Sequence, residues 1–515
     1  MTIAPFRNEK EINWKLPENR EELMQELTRV TEEFSKQYPL IIDGEEIHTE
    51  DKIASINPSQ HDQILGYMSQ ANQEHIQEAI TGACKAFKSW GKTSSRERAL
   101  YLLKAANVFR RRKTEFMAWL IYESGKNIVE AEGDVNEAID FLEIYARHAI
   151  DLGNQKELIS IPKVENRMLY IPLGVGVVIP PWNFPLAILT GLTTSAIVTG
   201  NTVLVKPAGV TPMIAAKFME VMKEIDLPAG VINFVPGASR EIGDFMVGHK
   251  DINFISFTGS KEAGVHIDEV AHRRIPKQRW IKRVISEMGG KDGIVVDETA
   301  DIDLAADGIV TSAFGFQGQK CSAGSRAIIH EAIYDELVKK IIDRVKELTV
   351  GPAIENPDLG PVIDENAFNQ INEYIEIGKQ EATLAIGGSS DKSIGYFIQP
   401  TVFIDAHPHS RIMQEEIFGP VLAISKVSDY KEGIEVYNDT EYGLTGSFYS
   451  KKRDRIEYAS LNMECGNLFI NGKCTGAIVG VQPFGGYYMS GTGSKTGTVD
   501  FLMNFVQAKT ISENL

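Results

Sequence analysis

Three observations predict an α/β protein of more than one domain. From about residue 175, short β-rich runs alternate with helical stretches, the pattern of parallel sheets with crossover helices. Before that, residues 73–152 carry apolar side chains at helical spacing, so the period changes along the chain. A length of 515 residues also exceeds what one ordinary hydrophobic core accommodates.

Residues 1–40 are highly charged and partly helical, an arm or surface helix. From Gln73 the apolar positions Ile76, Ile80, Ala83 and Phe87 follow a helical face. Ser94 and Glu97 have the spacing of a capping box, opening a helix that carries Leu100, Leu103 and Val108. Helical spacing continues, with breaks, to about Leu152. Strands are expected at Val175–Ile179, Thr202–Val205, 231–235 and 254–257, with helices at Pro212–Glu224 and 241–247. A second series follows Glu287: strand Gly293–Val296, helix 303–314, strand 327–330, helix 333–348 and strands around 397–403 and Val421–Val427. A domain boundary close to Glu287 separates the two series. A site in the cleft between them follows, because parallel sheets bind ligands beyond their carboxyl ends and clefts form at domain interfaces.

The net charge of -17 argues against nucleic acid or an anionic membrane as main partner, without excluding a small anionic substrate. Arg7, Glu9, Lys10 and Glu11 precede any apolar run, unlike a signal peptide, and the apolar run 169–182 is broken by prolines and glycines. Four cysteines make no disulfide framework, and none forms a zinc-spaced cluster with histidine, so no metal and a cytoplasmic location are expected.

Cys321 stands in Gly315-Phe-Gln-Gly-Gln-Lys-Cys-Ser-Ala-Gly-Ser-Arg326, among small and polar neighbours. Glycine and alanine leave room for a substrate, and the adjacent Lys320 favours the thiolate, the reactive form. Cys474, in Gly472-Lys-Cys-Thr-Gly476, is its one rival; Cys84 reads as core, and Cys465 follows Glu464, which disfavours a thiolate. Phe257-Thr-Gly-Ser260 followed by Gly264 closes a strand and opens a helix, either a phosphate-binding turn or a packing turn. Asn183, in Pro180-Pro-Trp-Asn-Phe-Pro185, can donate to an oxyanion or cap its own turn. Lys206 ends a strand, within reach of ribose hydroxyls or of solvent. Glu287 precedes a glycine pair that admits water, as suits a general base or a surface carboxylate. The run Gln414-Glu-Glu-Ile-Phe-Gly-Pro420 offers a ribose-binding carboxylate or a charged turn.

In their order PWNF, KPA, FTGS, EMGGK, GQKC, EEIFGP and PFGG, these motifs resemble the aldehyde dehydrogenase superfamily along nearly the whole chain. The resemblance implies a modified Rossmann cofactor domain (1–146 and 170–286, with the arm 1–40), an α/β catalytic domain (287–484) and a small β oligomerisation flap (147–169 and 485–515). It implies Cys321 as nucleophile, Glu287 as general base and Asn183 as oxyanion donor. It further implies NAD, with NADP also possible, held by Trp182, Lys206, Gly259, Ser260, Gly264, Glu416 and Phe418. The chemistry it implies is a thiohemiacetal, hydride loss to give a thioester, and hydrolysis to a carboxylic acid without a metal. A homodimer or higher homo-oligomer is implied as well.

Lys-Cys-Ser-Ala-Gly-Ser-Arg326, the stretch Cys474-Thr-Gly-Ala-Ile-Val-Gly-Val-Gln-Pro-Phe-Gly-Gly486 and extra residues around 275–281 are most similar to the branch that oxidises glutamate γ-semialdehyde, the open form of 1-pyrroline-5-carboxylate. That similarity implies a place in proline or arginine catabolism. It implies that Ser322, Gly476 and Ala477 bind the substrate α-carboxylate, that Phe184 and Phe484 flank its chain, and that Glu137 meets its amine. It also demotes Cys474 to a place beside the carboxylate-binding loop. Another carboxylate-bearing semialdehyde is the alternative substrate. The chain departs from the family where many members place a ribose-binding glutamate after KPA; here the residue is Gly209.

Overall fold

The computed structural model describes residues 3–154 and 158–515; residues 1–2 of the arm and 155–157 of the segment 147–169 lie outside the described residues. Two seven-stranded sheets organise the chain. The first runs Arg283–Glu287, Ile252–Thr258, Val175–Ile179, Thr202–Val205, Ile232–Phe234, Leu40–Ile42 and Glu45–Ile47. Its first five strands are parallel, and the last two join antiparallel. The central strands are buried throughout most of their length, which is why they read as unbroken apolar runs rather than alternating ones.

The second sheet runs Thr383–Ile386, Thr401–Ile404, Val421–Val427, Arg326–His330, Gly293–Val296, Thr445–Tyr449 and Asn467–Ile470. Only the edge Thr383–Ile386 is antiparallel. The expected strands and helices are present and differ from the sequence pattern at their ends. The edge strand Arg283–Glu287 and the pair Thr445–Tyr449 and Asn467–Ile470 were not expected.

Helix Gln73–Trp90 opens with a capping box of Asn72 and His75, and helix Ser95–Arg111 with the expected box of Ser94 and Glu97. The N-terminal segment is seated rather than free. Helix Pro17–Thr31 buries Leu23, Leu27 and Val30, and the Trp14 indole donates to Glu132 at 2.6 Å. A separate ribbon pairs Val164–Pro172 antiparallel with Val506–Asn514. Just before it the chain passes the first sheet, where Met288 N–H donates to the Ser490 carbonyl at 2.9 Å and Thr492 N–H to the Ser286 carbonyl at 3.0 Å.

The connectivity fixes where chemistry can occur. PWNF, Lys206, Gly259 and Glu287 all lie at or just past the carboxyl ends of first-sheet strands. The Cys321 loop leads into the amino end of Arg326–His330, the EMGGK turn into Gly293–Val296, and EEIFGP into Val421–Val427. The carboxyl ends of one sheet therefore meet the amino ends of the other. Among the described residues no helix is long and apolar enough to cross a membrane, and no cluster of His, Cys, Asp or Glu could hold a metal ion.

Candidate active site

The Cys321 loop begins where helix Ile302–Phe314 ends. Phe316, Gln317 and Gly318 then take left-handed conformations in succession, with φ of 49°, 55° and 68°. Such a conformation costs a residue with a side chain about 1–3 kcal/mol, so the surroundings must impose it. They do so with side chains buried on both sides. The Gln317 amide donates to the carbonyls of Gly125 and Pro361 at 3.2 and 2.9 Å, and the Gln319 side chain accepts Ile363 N–H at 2.9 Å. A Cβ on Gly318 would collide with the Gly419 carbonyl.

Cys321 emerges from this turn partly accessible, its Sγ 4.0 Å from Glu287 Oε1. Burial, then the carboxylates of Glu287, Asp292 and Glu416, push the thiol well above its ordinary value. The expectation that Lys320 promotes the thiolate is corrected here. Its ammonium turns away to Glu130, 2.7 Å distant, and that ion pair spends the charge. In the free site the thiol is therefore held protonated, with the Glu287 carboxylate beside it.

Asn183 is buried, and its amide donates to the Gln319 carbonyl at 3.1 Å instead of capping its own turn. An amide NH₂ carries two hydrogens, which leaves one for an oxyanion. The bond also ties the PWNF turn to the residue two before the thiol. Glu287 ends its strand at a small cavity that it lines together with Phe257, Thr258, Gly485 and Gly491. It is partly accessible yet closely surrounded, and burial raises it to about 7 against the opposing pull of Lys495. The next turn joins two motifs: Gly290 N–H donates to Glu416 Oε1 at 2.9 Å. Burial raises Glu416 to about 7, with the Gly290 N–H and Lys291 opposing.

On the first-sheet wall, Lys206 is 6 % exposed, and its ammonium has no hydrogen-bond or ion-pair partner among the described residues. Burial lowers it to about 8. An unpartnered ammonium at a cleft calls for an acceptor from outside the protein. Ser260 caps helix Lys261–His272, accepting Ala263 N–H at 3.3 Å, while Gly259 N–H donates to the Glu287 carbonyl at 3.1 Å. Gly264 packs inward: a Cβ there would collide with Met288. Its bareness brings the helix close to the EMGGK turn. The Trp182 and Phe418 rings meet edge to face at 5.4 Å, closing PWNF on EEIFGP.

Ser322 is buried, and its carbonyl accepts from Cys474 Sγ at 3.5 Å and Thr445 Oγ1 at 3.4 Å. Cys474 thus touches the residue after the thiol, two positions before Gly476, which takes a left-handed φ of 77°. Cys474 itself is 1 % exposed and held up at about 12 by burial, a core residue. Phe184 meets Phe316 edge to face at 6.2 Å, and the Phe484 carbonyl accepts Thr496 N–H at 2.8 Å. Glu137, on helix Ile128–Gly153, is raised to about 8 by burial and then by Asp134, with Glu287 also contributing.

Three participants escaped the sequence pattern. Lys495 donates to the Gly466 carbonyl at 2.6 Å and to Asn467 Oδ1 at 2.9 Å, and its charge acts on Glu287. Glu130 neutralises Lys320. Asp292 lies beneath Gly290, receiving Thr445 N–H at 2.7 Å. For Lys495 a signal was present, a lone cation in the small-residue run Gly493-Ser-Lys-Thr-Gly497.

Comparison with known proteins agrees with this geometry. The Aldehyde dehydrogenase family profile matches residues 46–511. The 1-pyrroline-5-carboxylate dehydrogenase of Geobacillus kaustophilus is 52% identical over 512 residues, 99% of each chain, and 1-pyrroline-5-carboxylate dehydrogenase 2 of Bacillus subtilis is 52% identical over 511 residues, again 99% of each. The crystal structure of a Thermus 1-pyrroline-5-carboxylate dehydrogenase with bound NAD superposes with a TM-score of 0.99 at 49% identity, covering 100% of both chains. A betaine aldehyde dehydrogenase of Staphylococcus aureus in complex with NAD+ superposes with a TM-score of 0.88 at 30% identity, over 95% of this chain and 96% of that one. By motif order, site geometry and these matches, the chain belongs to the aldehyde dehydrogenase family.

Proposed function

We propose that this enzyme oxidises L-glutamate γ-semialdehyde to L-glutamate with NAD, as a step of proline degradation. The observation that carries the proposal is the meeting of Cys321 with Glu287 at 4.0 Å, with the Asn183 amide bonded to Gln319, two residues before the thiol. Cys321 gives up its proton to solvent and attacks the aldehyde carbon as the thiolate. The oxyanion of the thiohemiacetal is received by Asn183 and the Cys321 backbone N–H. When bound, NAD supplies the hydride acceptor that converts this adduct to a thioester. Glu287 then takes a proton from water as it attacks, and the acid leaves.

Support for the substrate comes from the loop 474–477, whose small residues let backbone N–H groups close on a carboxylate. Phe184 and Phe484 provide apolar walls for the chain, and Glu137, held largely protonated by burial in the free site, ionises against the amine when it binds. The cofactor reading fits the orphaned Lys206 ammonium and the Glu416 carboxylate, one for each ribose, with the capped helix start at Ser260 for the pyrophosphate and Trp182 and Phe418 beside the ring. The ribbon of Val164–Pro172 and Val506–Asn514, with Leu169 and Ile171 exposed, is the candidate oligomerisation flap. The two seven-stranded sheets form the cores of the cofactor and catalytic domains.

Steady-state assays with NAD test the substrate. L-glutamate γ-semialdehyde should give a kcat/KM at least about tenfold above that of succinate semialdehyde, which lacks the amine and is one carbon shorter, a difference of about 1.4 kcal/mol. Equal or better turnover of succinate semialdehyde would point to the alternative substrate.

Cofactor choice is testable at Gly209. A Cβ at this exposed position meets nothing nearer than Ile53 Cδ1 at 4.0 Å, so a larger side chain fits. No carboxylate stands there to repel a 2′-phosphate, and NADP should be accepted beside NAD. Gly209→Glu is expected to cut activity with NADP by about tenfold or more while changing NAD activity little, because like charges at about 4 Å cost about 1 kcal/mol in water and several at a protein surface. Equal losses with both cofactors would remove position 209 from the ribose.

A further inference from the structure

Lys126 links helix Lys113–Ser124 to helix Ile128–Gly153, yet its side chain points inward and is wholly buried. Its ammonium lies 2.9 Å from Asp134 Oδ2, 4.0 Å from the centre of the Phe184 ring and 4.4 Å from that of Phe316. One carboxylate oxygen and two aromatic faces thus surround a group with three N–H donors. Each offers the cation favourable electrostatics, which is what a charge removed from water requires.

The grip extends to both walls of the cleft. The other oxygen of Asp134 accepts Ala187 N–H at 2.7 Å, fixing the start of helix Ala187–Val198 just after PWNF. Phe184 follows Asn183 directly, and Phe316 opens the left-handed turn that leads to Cys321. The carbonyl of Gly125, next to Lys126, receives the Gln317 amide within the same turn. The Asn183 amide donor and the Cys321 thiol come from different sheets, and this buried cation touches an aromatic neighbour of each.

We propose that Lys126 is a positioning residue: clamped by Asp134 between Phe184 and Phe316, it holds the oxyanion donor Asn183 and the nucleophile Cys321 in mutual register. The proposal rests on the roles given above to Cys321 and Asn183. Register matters most when the adduct forms, since small misplacement of reacting groups lowers rate far more than it weakens binding.

Two variants test it. Lys126→Met removes the charge but leaves Asp134 buried without its partner, so Lys126→Met/Asp134→Asn removes both charges together. In the double variant kcat for aldehyde oxidation should fall about 30-fold or more, with KM for the aldehyde and NAD affinity each within about threefold of the parent. Lys126→Arg, which keeps the cation, should recover a large part of the lost kcat. A double variant that folds with kcat within threefold of the parent, a loss carried by KM, or failure of every Lys126 variant to fold would each overturn the proposal. Cys321→Ala, assayed in parallel, separates the two levels. If it stays active the underlying site assignment fails, whereas if it is inactive and the Lys126 double variant is not, only the positioning role fails.

Discussion

Cys321→Ala is expected to lower aldehyde oxidation by at least about 10³-fold while NAD affinity stays close to that of the parent. Losing a covalent nucleophile removes the whole thiohemiacetal route, and losses of this size or larger accompany such changes in other covalent enzymes. Cofactor affinity should survive, because Lys206 and the helix start at Ser260 belong to the first sheet and Cys321 to the second. Steady-state rates with the semialdehyde, together with NAD titration by intrinsic fluorescence, provide the measurement. Retention of more than a small fraction of parental turnover would refute the assignment. Cys474 would then be the residue to test, although it is 1 % exposed and its thiol is raised to about 12.

Glu287→Gln should divide the reaction in two. Hydrolysis of the thioester needs a base for water, and loss of a general base typically costs about 10²–10⁴-fold. Formation of the thioester should survive, for a reason visible in the site: the Glu287 carboxylate is among the charges that push the Cys321 thiol up, so a neutral amide makes the thiolate easier to form. Rapid mixing with NAD should therefore show a burst of reduced cofactor of about one equivalent per site, followed by slow turnover. The pH profile gives a second check. Burial raises Glu287 to about 7, and a base works only when deprotonated, so parental kcat should rise with pH through about 7 and fall below it. The variant should lose that limb. If the burst disappears along with turnover, Glu287 also takes the proton of Cys321 during attack, as the 4.0 Å approach allows.

The parts of this enzyme legible in its sequence are those governed by local periodicity. Val175–Ile179 and Thr202–Val205 are buried and apolar, and the Ser94 and Glu97 box is a contact of near neighbours. Arg283–Glu287 escaped because it is an edge strand in which Arg283 and Glu287 stay partly exposed and the apolar pattern is thin. Lys320 misled for a different reason. Adjacency to Cys321 implied an electrostatic effect, but the Glu130 that claims its charge is 190 positions away in the chain. The motifs named the candidate residues, whereas the neighbours that meet them, such as Asp292 held by Thr445 and Lys126 against Phe184 and Phe316, come together through long-range contacts that no local spacing encodes.

The open surroundings of Gly209 contrast with the crowded EMGGK turn, where a Cβ on Gly289 would collide with the Glu416 carboxylate and one on Gly290 would come within 2.5 Å of the Cys321 carbonyl. These constraints set different evolutionary freedoms. At position 209 single substitutions leave the core untouched. The turn after Glu287 admits no such drift, since any side chain there displaces the Glu416 carboxylate or the Cys321 loop. One position is therefore free to vary where the other is fixed by packing.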